Sequence, residues 1–186
     1  GANAGLGGTT SAPYSSGQYN TSLGYNSFAA FTTGQYNTII GYNAGDAITT
    51  SNSNTLVGAS AGGSITTQQY NTLVGSFCGH GINGGDGQNT ALGREALYYG
   101  GNSAVNVAIG QLALYGASGT NNATGNVAVG NQALQNTSTG DVNVAIGYKA
   151  GQSGCANNSI NINATVNATQ NTNVGSTMIS PLRDAT

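Results

Sequence analysis

The sequence predicts an all-β fold, a parallel β-solenoid or β-roll of about ten coils, each of about 17 residues. Three observations predict it: a five-residue motif that recurs at nearly constant spacing, small residues at a fixed offset from that motif, and an almost uncharged composition. Of the 186 residues, 31 are Gly and only 4% are charged, against about 25% in an ordinary soluble domain. Stacked, uncharged coils fit this composition better than an ordinary globular core does.

The repeated motif is Asn-x-x-(Leu/Ile/Val)-Gly. Its nine copies occupy residues 3–7, 20–24, 37–41, 54–58, 71–75, 89–93, 106–110, 126–130 and 143–147. Such a near-constant period is typical of proteins in which each unit is stabilised by stacking on its neighbours. The motif residues predicted to build the structural repeat are Asn20, Gly24, Asn37, Gly41, Asn54, Gly58, Asn71, Gly75, Asn89, Gly93, Asn106, Gly110, Asn126, Gly130, Asn143 and Gly147.

Each unit divides into a short strand, a turn and a polar return segment. β-branched residues in copies such as residues 37–40 predict the strand. The Gly that follows predicts a positive φ or a close approach of the backbone. A small residue three positions later, such as Ala44, is expected to point inward, and stretches such as residues 49–52 close the coil. Helices are not expected, because Gly, Asn, Thr and Ser have low helix propensity.

The repeat divides the chain into two regions. Residues 1–157 are predicted to form the solenoid, and residues 158–186 are predicted to form degenerate terminal coils and a C-terminal junction. Within the second region, degenerate copies of the motif are expected at residues 158–162 and 171–175.

Stacking also explains why charge is scarce. A charged side chain would meet its own copy one coil away, whereas Asn and Thr form hydrogen-bonded ladders. Ten coils at about 4.8 Å each give a rod of roughly 48 Å. The inward residues, mostly Ala, Val, Ile and Leu, make a core that is thin for a free-standing solenoid. We therefore predict a homotrimer of parallel chains with a shared core.

The few charged residues exclude several functions. Three cations form no basic patch, so no binding of nucleic acid is expected. The carboxylates of Asp46, Asp86, Glu95 and Asp141 lie on separate coils, and the chain has one His. Acid–base chemistry requires paired groups, so we predict no enzyme, no catalytic residue and no cofactor. Arg94 and Glu95 are expected to be solvated and to face opposite sides of a strand.

The two cysteines are predicted not to pair with each other within one chain, and an interchain disulfide is the open alternative. Cys78 occupies a small-residue position and is expected to be a buried thiol. Cys155 lies more than four coils away, or roughly 20 Å, beyond the ~7 Å that a disulfide spans between Cα atoms. No intrachain bond between them is predicted. His80 lacks further ligands near it, and Asp86 lacks a carboxylate in adjacent turns, so no metal site is predicted.

Tyrosines recur at two positions in the N-terminal half of the chain. They precede the motif Asn or follow the motif Gly, and therefore predict aromatic ladders along the rod. Exposed Tyr side chains suit contact with sugars or protein partners, and packing along the rod is the alternative role. The residues predicted as surface contacts are Tyr19, Tyr36, Tyr70, Tyr25 and Tyr42.

Two known families share this repeat. Residues 106–110 and 143–147 read Asn-Val-Ala-Ile-Gly and resemble the head repeats of trimeric autotransporter adhesins, the YadA-like head, which form left-handed parallel β-rolls as trimers. The longer unit of residues 125–140 is more similar to repeats in tail-fibre proteins of tailed phages and in some giant-virus proteins. Residues 178–186 resemble the junction before the C-terminal intramolecular chaperone of such fibres. The resemblance implies a trimeric β-roll in a virion or at a cell surface.

These observations favour a non-enzymatic structural fibre or rod protein, part of a tailed-phage virion fibre that supports host attachment. The expected location is the virion, the cell surface or the extracellular space. The alternatives are the head domain of a bacterial surface adhesin, a subunit of an extracellular filament joined end to end, and an ice-binding solenoid. Varied turn lengths and Tyr-bearing faces argue against ice binding. Expected partners are copies of the chain and a host-surface glycan or protein. No apolar run reaches the ~20 residues of a membrane span, so no membrane insertion is expected.

Overall fold

The chain forms one parallel sheet of ten short strands in a computed structural model, which describes residues 1–7, 16–116, 122–137, 139–152, 157–163 and 177–180. Strand order follows chain order, so the chain winds as a parallel β-solenoid of about eight regular turns. The described residues include no helix. The predicted all-β parallel solenoid is confirmed. The strands are β1 (Thr21–Leu23), β2 (Thr38–Ile40), β3 (Thr55–Val57), β4 (Thr72–Val74), β5 (Thr90–Leu92), β6 (Val107–Ile109), β7 (Val127–Val129), β8 (Val144–Ile146), β9 (Ile160–Asn163) and β10 (Thr177–Ser180).

The motif sets the register of the sheet. Its three residues between Asn and Gly form the strand, so that Thr38 pairs with Thr55 one coil later. Where the interval between copies is longest, from Asn106 to Asn126, Val107 still pairs with Val127. The longer interval therefore leaves the stacked strands in register.

The motif Asn side chains form a ladder inside the solenoid. From Asn37, the backbone nitrogen and Nδ2 both donate to Oδ1 of Asn20, at 2.9 and 3.1 Å. The same Nδ2 also donates to the carbonyl of Ser51 in the return segment, at 2.9 Å. One neutral side chain thus forms hydrogen bonds both with the Asn of the preceding coil and with a backbone carbonyl of the return segment. The predicted Asn ladder is present, and it runs through Asn20, Asn37, Asn54, Asn71, Asn89, Asn106, Asn126 and Asn143.

The motif Gly ends each strand in a conformation that other residues rarely adopt. These glycines have φ between 124° and 141°. A Cβ atom on Gly41 would lie 2.3 Å from the carbonyl oxygen of Gly58 in the next coil. Both predicted reasons for Gly, positive φ and close backbone approach, therefore apply at the same position.

In the coils of β2 to β7 the core combines one large side chain with one small one, whereas the coil of β8 has Ala145 and Gly151 at these positions. Where the middle strand residue is large, as at Leu73, the turn residue six positions later is Gly79. Where the strand residue is Ala91, the turn residue is Leu97. A Cβ atom on Gly79 would lie 2.5 Å from Cδ1 of Leu73, so the two positions share one space. The predicted inward small residues are all buried: Ser27, Ala44, Ala61, Cys78, Ala96, Ala113, Ala133 and Ala150.

Three positions in each coil adopt the left-handed conformation. They are the residue before the motif Asn and the second and fourth residues after the motif Gly. In one coil they are Val105, Leu112 and Leu114, with φ of 58°, 59° and 47°. This conformation costs an L-residue roughly 1–2 kcal/mol. Each bend of the chain therefore has a local conformational free-energy cost, which the stacking of neighbouring coils offsets.

The first predicted copy of the motif, residues 3–7, forms a turn and not a strand. Asn3 adopts the same left-handed conformation as Asn26, with φ of 58° and 54°. The backbone N–H of Gly5 donates to the carbonyl of Ser27 at 2.9 Å, as one turn stacked on another does. The prediction is wrong here because Asn and small residues suit such a turn as well as they suit the motif.

The degenerate copy near the C-terminus is displaced by one residue from its predicted position. Ser159, and not Asn158, takes the ladder position, and its backbone nitrogen donates to Oδ1 of Asn143 at 2.9 Å. Asn161 consequently points inward in β9, at the position that Ala145 occupies in β8. The copy expected at residues 171–175 lies outside the described residues, and β10 pairs directly with β9.

Candidate interaction faces

The outward side chains of the strands form an apolar row that we call the outer stripe. In β2 to β8 the middle strand residue is buried and its two neighbours are less buried or exposed. The Leu, Ile or Val before the motif Gly therefore points outward, away from the core of its own coil. Leu23 is 60% exposed and Leu92 is 50% exposed. The outer stripe consists of Leu23, Ile40, Val57, Val74, Leu92, Ile109, Val129, Ile146 and Ile162.

The outer stripe is large and uncharged. Nine strands spaced by about 4.8 Å make a face about 40 Å long and about 10 Å wide, or about 400 Å². The first strand residue is Thr in β1 to β5 and Val or Ile in β6 to β9, so the C-terminal half is the more apolar. None of the ten described strands contains a charged residue. The largest apolar patch of a soluble protein is typically of this size and is often a contact surface.

The predicted aromatic ladders are present as two stacked pairs. The rings of Tyr19 and Tyr36 have centroids 5.0 Å apart and planes at 11°. Those of Tyr25 and Tyr42 are 5.6 Å apart at 14°. All four side chains are more than half exposed, so stacking leaves their outer edges available to a partner.

Tyr70, the fifth predicted contact residue, stands apart from these pairs. It occupies the same position in its coil as Tyr36 but lies two coils further on. Ser53 holds the position between them. The column of rings is therefore interrupted at Ser53.

A second aromatic cluster was not predicted from the sequence. His80, Tyr98 and Tyr115 occupy equivalent positions in successive coils, with ring centroids 5.3 and 5.2 Å apart. Tyr99 meets Tyr98 edge-on at 4.8 Å, and Phe77 lies 5.6 Å from His80. The signal that could have revealed this cluster is the recurrence of these rings at nearly the period of the motif.

Two groups beside this cluster have displaced pKa values. Burial raises the pKa of Tyr115, and the neighbouring Tyr99 and Glu95 raise it further. Partial burial raises the pKa of Asp46, partly offset by backbone N–H groups and by the charge of His80. Neither group lines the surface cavity between Tyr36 and Tyr70.

Cys78 is a buried free thiol in the small-residue position of its coil. Burial raises the pKa of Cys78 to about 12, so the thiol stays protonated and unreactive at neutral pH. Cys155 lies outside the described residues. Among the residues that the structure describes, no three His, Cys, Asp or Glu side chains gather where they could hold a metal ion.

Arg94 and Glu95 pair with each other, contrary to the expectation that they face opposite sides. Nη1 of Arg94 lies 2.6 Å from Oε1 of Glu95. Glu95 follows the end of β5 and has φ of 57°, so the alternation of an extended strand does not apply to it. The pair neutralises two of the few charges on this surface.

The structure places all predicted repeat residues in the Asn ladder or at the strand ends, where they have structural roles. The described part of the chain contains no helix long and apolar enough to cross a bilayer. Comparison of the chain with protein-family models, curated proteins and solved structures finds no match.

Proposed function

We propose that the chain is a non-enzymatic structural rod of about ten coils, that it forms a homotrimer, and that it belongs to a tailed-phage fibre supporting host attachment. The observation that carries this proposal is the outer stripe. A continuous apolar face of about 400 Å² along a rod suits a partner of matching length. A second and third copy of the same rod have that length and the same repeat.

Parallel association in register matches the outer stripe to itself. Each chain presents Leu, Ile or Val at every step of about 4.8 Å, so three stripes around a common axis place apolar side chains together at every level. The Val and Ile residues of β6 to β9 widen this contact in the C-terminal half. No charge on the described strands has to be desolvated, since they carry none.

A rod of this kind suits a fibre because hydrogen bonds connect neighbouring coils along its length and make it stiff. Strand pairing and the Asn ladder link each coil to the next from β1 to β8. The Tyr pairs and the second aromatic cluster lie in turns and return segments, outside the strands. They are the surfaces that we assign to a glycan or protein of the host. The proposed location is the virion or the cell exterior.

The oligomeric state tests the proposal. Sedimentation equilibrium is expected to give a mass three times the 18.4 kDa of the chain. The double variant Ile109→Glu/Val129→Lys is expected to be monomeric, because burying charges at a trimer axis is costly. The two positions are paired neighbours within one chain, so the opposite charges preserve the strand pairing.

The control variant is Thr66→Glu, which adds one charge to an exposed return segment and is expected to stay trimeric. A monomeric wild-type chain contradicts the proposed trimer, as does a double variant with the wild-type mass. The genes beside the coding sequence separate the fibre from the adhesin. Virion genes support the fibre, and a membrane anchor with a stalk supports the adhesin head.

A further inference from the structure

A cavity of about 490 Å³ opens at the surface where the column of tyrosines is interrupted. Tyr36 and Tyr70 line it from two sides, and Ser53 lies between them. The three residues have φ of 58°, 57° and 60°, so the backbone repeats and only the side chain changes. The cavity is the space of one missing ring, enlarged by the surface groove beside it. We call it the Ser53 slot.

The width of the Ser53 slot follows from the coil spacing. Adjacent rings in this column, Tyr19 and Tyr36, are 5.0 Å apart. Two coils therefore separate Tyr36 from Tyr70 by about 10 Å. A ring placed midway lies about 5 Å from each tyrosine, the centroid spacing at which Tyr19 and Tyr36 stack. The slot therefore has room for one six-membered ring between the two tyrosines, and the chemistry of its lining selects the kind of ring.

The remaining lining of the slot is polar and neutral. Thr33 and Thr50 contribute hydroxyl groups, and Gln35, Asn52 and Gln69 contribute amides. Two of these amides are held in place, because Oδ1 of Asn52 accepts from the backbone N–H of Gln35 at 2.7 Å and its Nδ2 donates to Oε1 of Gln69 at 3.4 Å. Hydroxyl and amide groups both donate and accept, as sugar hydroxyls require.

We propose that the Ser53 slot binds one neutral pyranose ring of a saccharide, stacked between Tyr36 and Tyr70. The C–H faces of the sugar pack on the two aromatic rings, and its hydroxyls bond to the amides and threonines. A phosphate or carboxylate ligand would need a cation, and none of the described residues that line the slot is charged. An apolar ring would leave the polar lining unpaired.

This inference rests on the attachment role proposed above, for which it names the ligand class and the site. None of the residues that line the slot belongs to the outer stripe. The slot therefore stays open in a trimer closed around the outer stripe. Three copies of one weak site on a rigid trimer also give avidity toward a surface that displays many sugars.

Filling the slot is the sharpest test. Ser53→Tyr inserts the missing ring at a backbone conformation that holds tyrosine on both sides, and Ser53→Ala leaves the slot open. The ligands are the methyl β-glycosides of glucose, galactose and N-acetylglucosamine, followed by saturation-transfer NMR and calorimetry. The wild-type chain is expected to bind at least one of them saturably. Affinity is expected to fall about tenfold or more in Ser53→Tyr and Tyr70→Ala, and to be unchanged in Ser53→Ala.

Tyr42→Ala is the matched control, since it removes a stacked tyrosine outside the slot, and binding is expected to persist. Circular dichroism and the unfolding midpoint verify that each variant is folded. Equal binding by wild type and Ser53→Tyr overturns the inference, as does the absence of saturable binding to every glycoside. Sedimentation of the same samples keeps the two proposals separate. A trimer that binds no glycoside contradicts only the saccharide site, and a monomer that binds a glycoside contradicts only the homotrimer.

Discussion

At the scale of single residues, the amide group of Asn makes a nearly uncharged core possible. Nδ2 of Asn54 donates to Oδ1 of Asn37 at 3.2 Å, and its own Oδ1 accepts from the backbone nitrogen and Nδ2 of Asn71 at 2.9 and 3.0 Å. An aspartate would lose the donated bonds and place like charges one coil apart. The scarcity of charge is thus a condition for this ladder.

Val142 is a strained residue whose replacement should stabilise the chain. It is β-branched, 59% exposed, and has φ of 56°, a conformation that Asn tolerates better than Val. Val142→Asn is expected to raise the free energy of unfolding by about 1 kcal/mol, measured by urea denaturation. Val127→Asn, the same change in an extended strand, is expected to lower it. A Val142→Asn chain less stable than wild type would show that the position is not strained.

Cys78 makes the stability of the chain fall at alkaline pH. Burial raises the pKa of its thiol from 9.0 to about 12, so above pH 9 the unfolded chain loses a proton that the folded chain keeps. The stabilisation is complete below the unfolded pKa and decreases by about 1.4 kcal/mol per pH unit as pH rises toward the folded pKa. We expect Cys78→Ala to remove this decrease, since other coils carry Ala there.

The measurement is the free energy of unfolding of wild type minus that of Cys78→Ala, from about pH 8 to about pH 11. Other groups titrate alike in both chains and cancel in this difference. A difference that stays constant over the range would mean that Cys78 is not desolvated in the folded chain.

At the scale of the coil, strand and turn exchange core volume. The coils of β2 to β4, with Leu or Ile in the strand, have Gly in the turn. Those of β5 to β7, with Ala in the strand, have Leu in the turn, as in Ala108 and Leu114. From β2 to β7 the interior keeps one large residue in this pair of positions, as close packing requires. The Gly and Leu positions were predictable from the sequence. Their dependence on the strand residue was not, because it arises from side-chain contact between two segments of the coil.

A double-mutant cycle tests this exchange. Gly79→Leu is expected to destabilise the chain by about 1–3 kcal/mol, since Leu73 fills the space. The backbone does not exclude Leu, because Leu97 has φ of 54° at the equivalent position. Adding Leu73→Ala is expected to recover about half of the loss or more. Denaturation of the four chains measures the coupling, and strictly additive losses would disprove a shared space.

Strands and Gly turns were predictable because they follow a fixed spacing of residue types. The left-handed positions were not, since they hold residues as different as Tyr36, Gln88 and Val105. Their conformation depends on their place in the coil and is imposed by stacking. Residue type alone did not identify the last position of the ladder. Asn158 is of the expected type, but the neighbouring Ser159 occupies the ladder position.

At the scale of the whole molecule, stability is built from contacts between neighbouring coils. Each described strand contacts only the strands before and after it in the sheet. Such a structure behaves as a one-dimensional stack, in which a whole unit can be removed if register is kept.

Deletion of residues 127–143 removes one whole coil and joins Asn126 to Val144. This chain is expected to fold with a somewhat lower unfolding midpoint, because Val107 can pair with Val144 as it paired with Val127. Deletion of residues 127–134 alone breaks the register and is expected to prevent folding. Far-UV circular dichroism and thermal denaturation compare the two chains. Equal damage from both deletions would contradict nearest-neighbour stacking.

The candidate surfaces were only partly predictable from the sequence. The positions of the tyrosines were evident, and so was the need for apolar contact between chains. The outer stripe could be recognised only in the structure, because only the burial of the strand residues shows that Ile109 points outward while Ala108 points inward. The Ser53 slot could be recognised only once Ser53 was known to occupy the same position in its coil as Tyr36 and Tyr70, which their shared backbone conformation establishes.

The Asn ladder also gives the rod an electrical direction. From Asn37 to Asn126, each Nδ2 donates toward the preceding coil, and each Oδ1 accepts from the following coil. Side-chain dipoles of about 3.5 D each therefore add along the axis, with the positive end toward the N-terminal coils. A particle with a formal net charge of −2 thus has a permanent dipole, and its rods are expected to align with one polarity in an electric field.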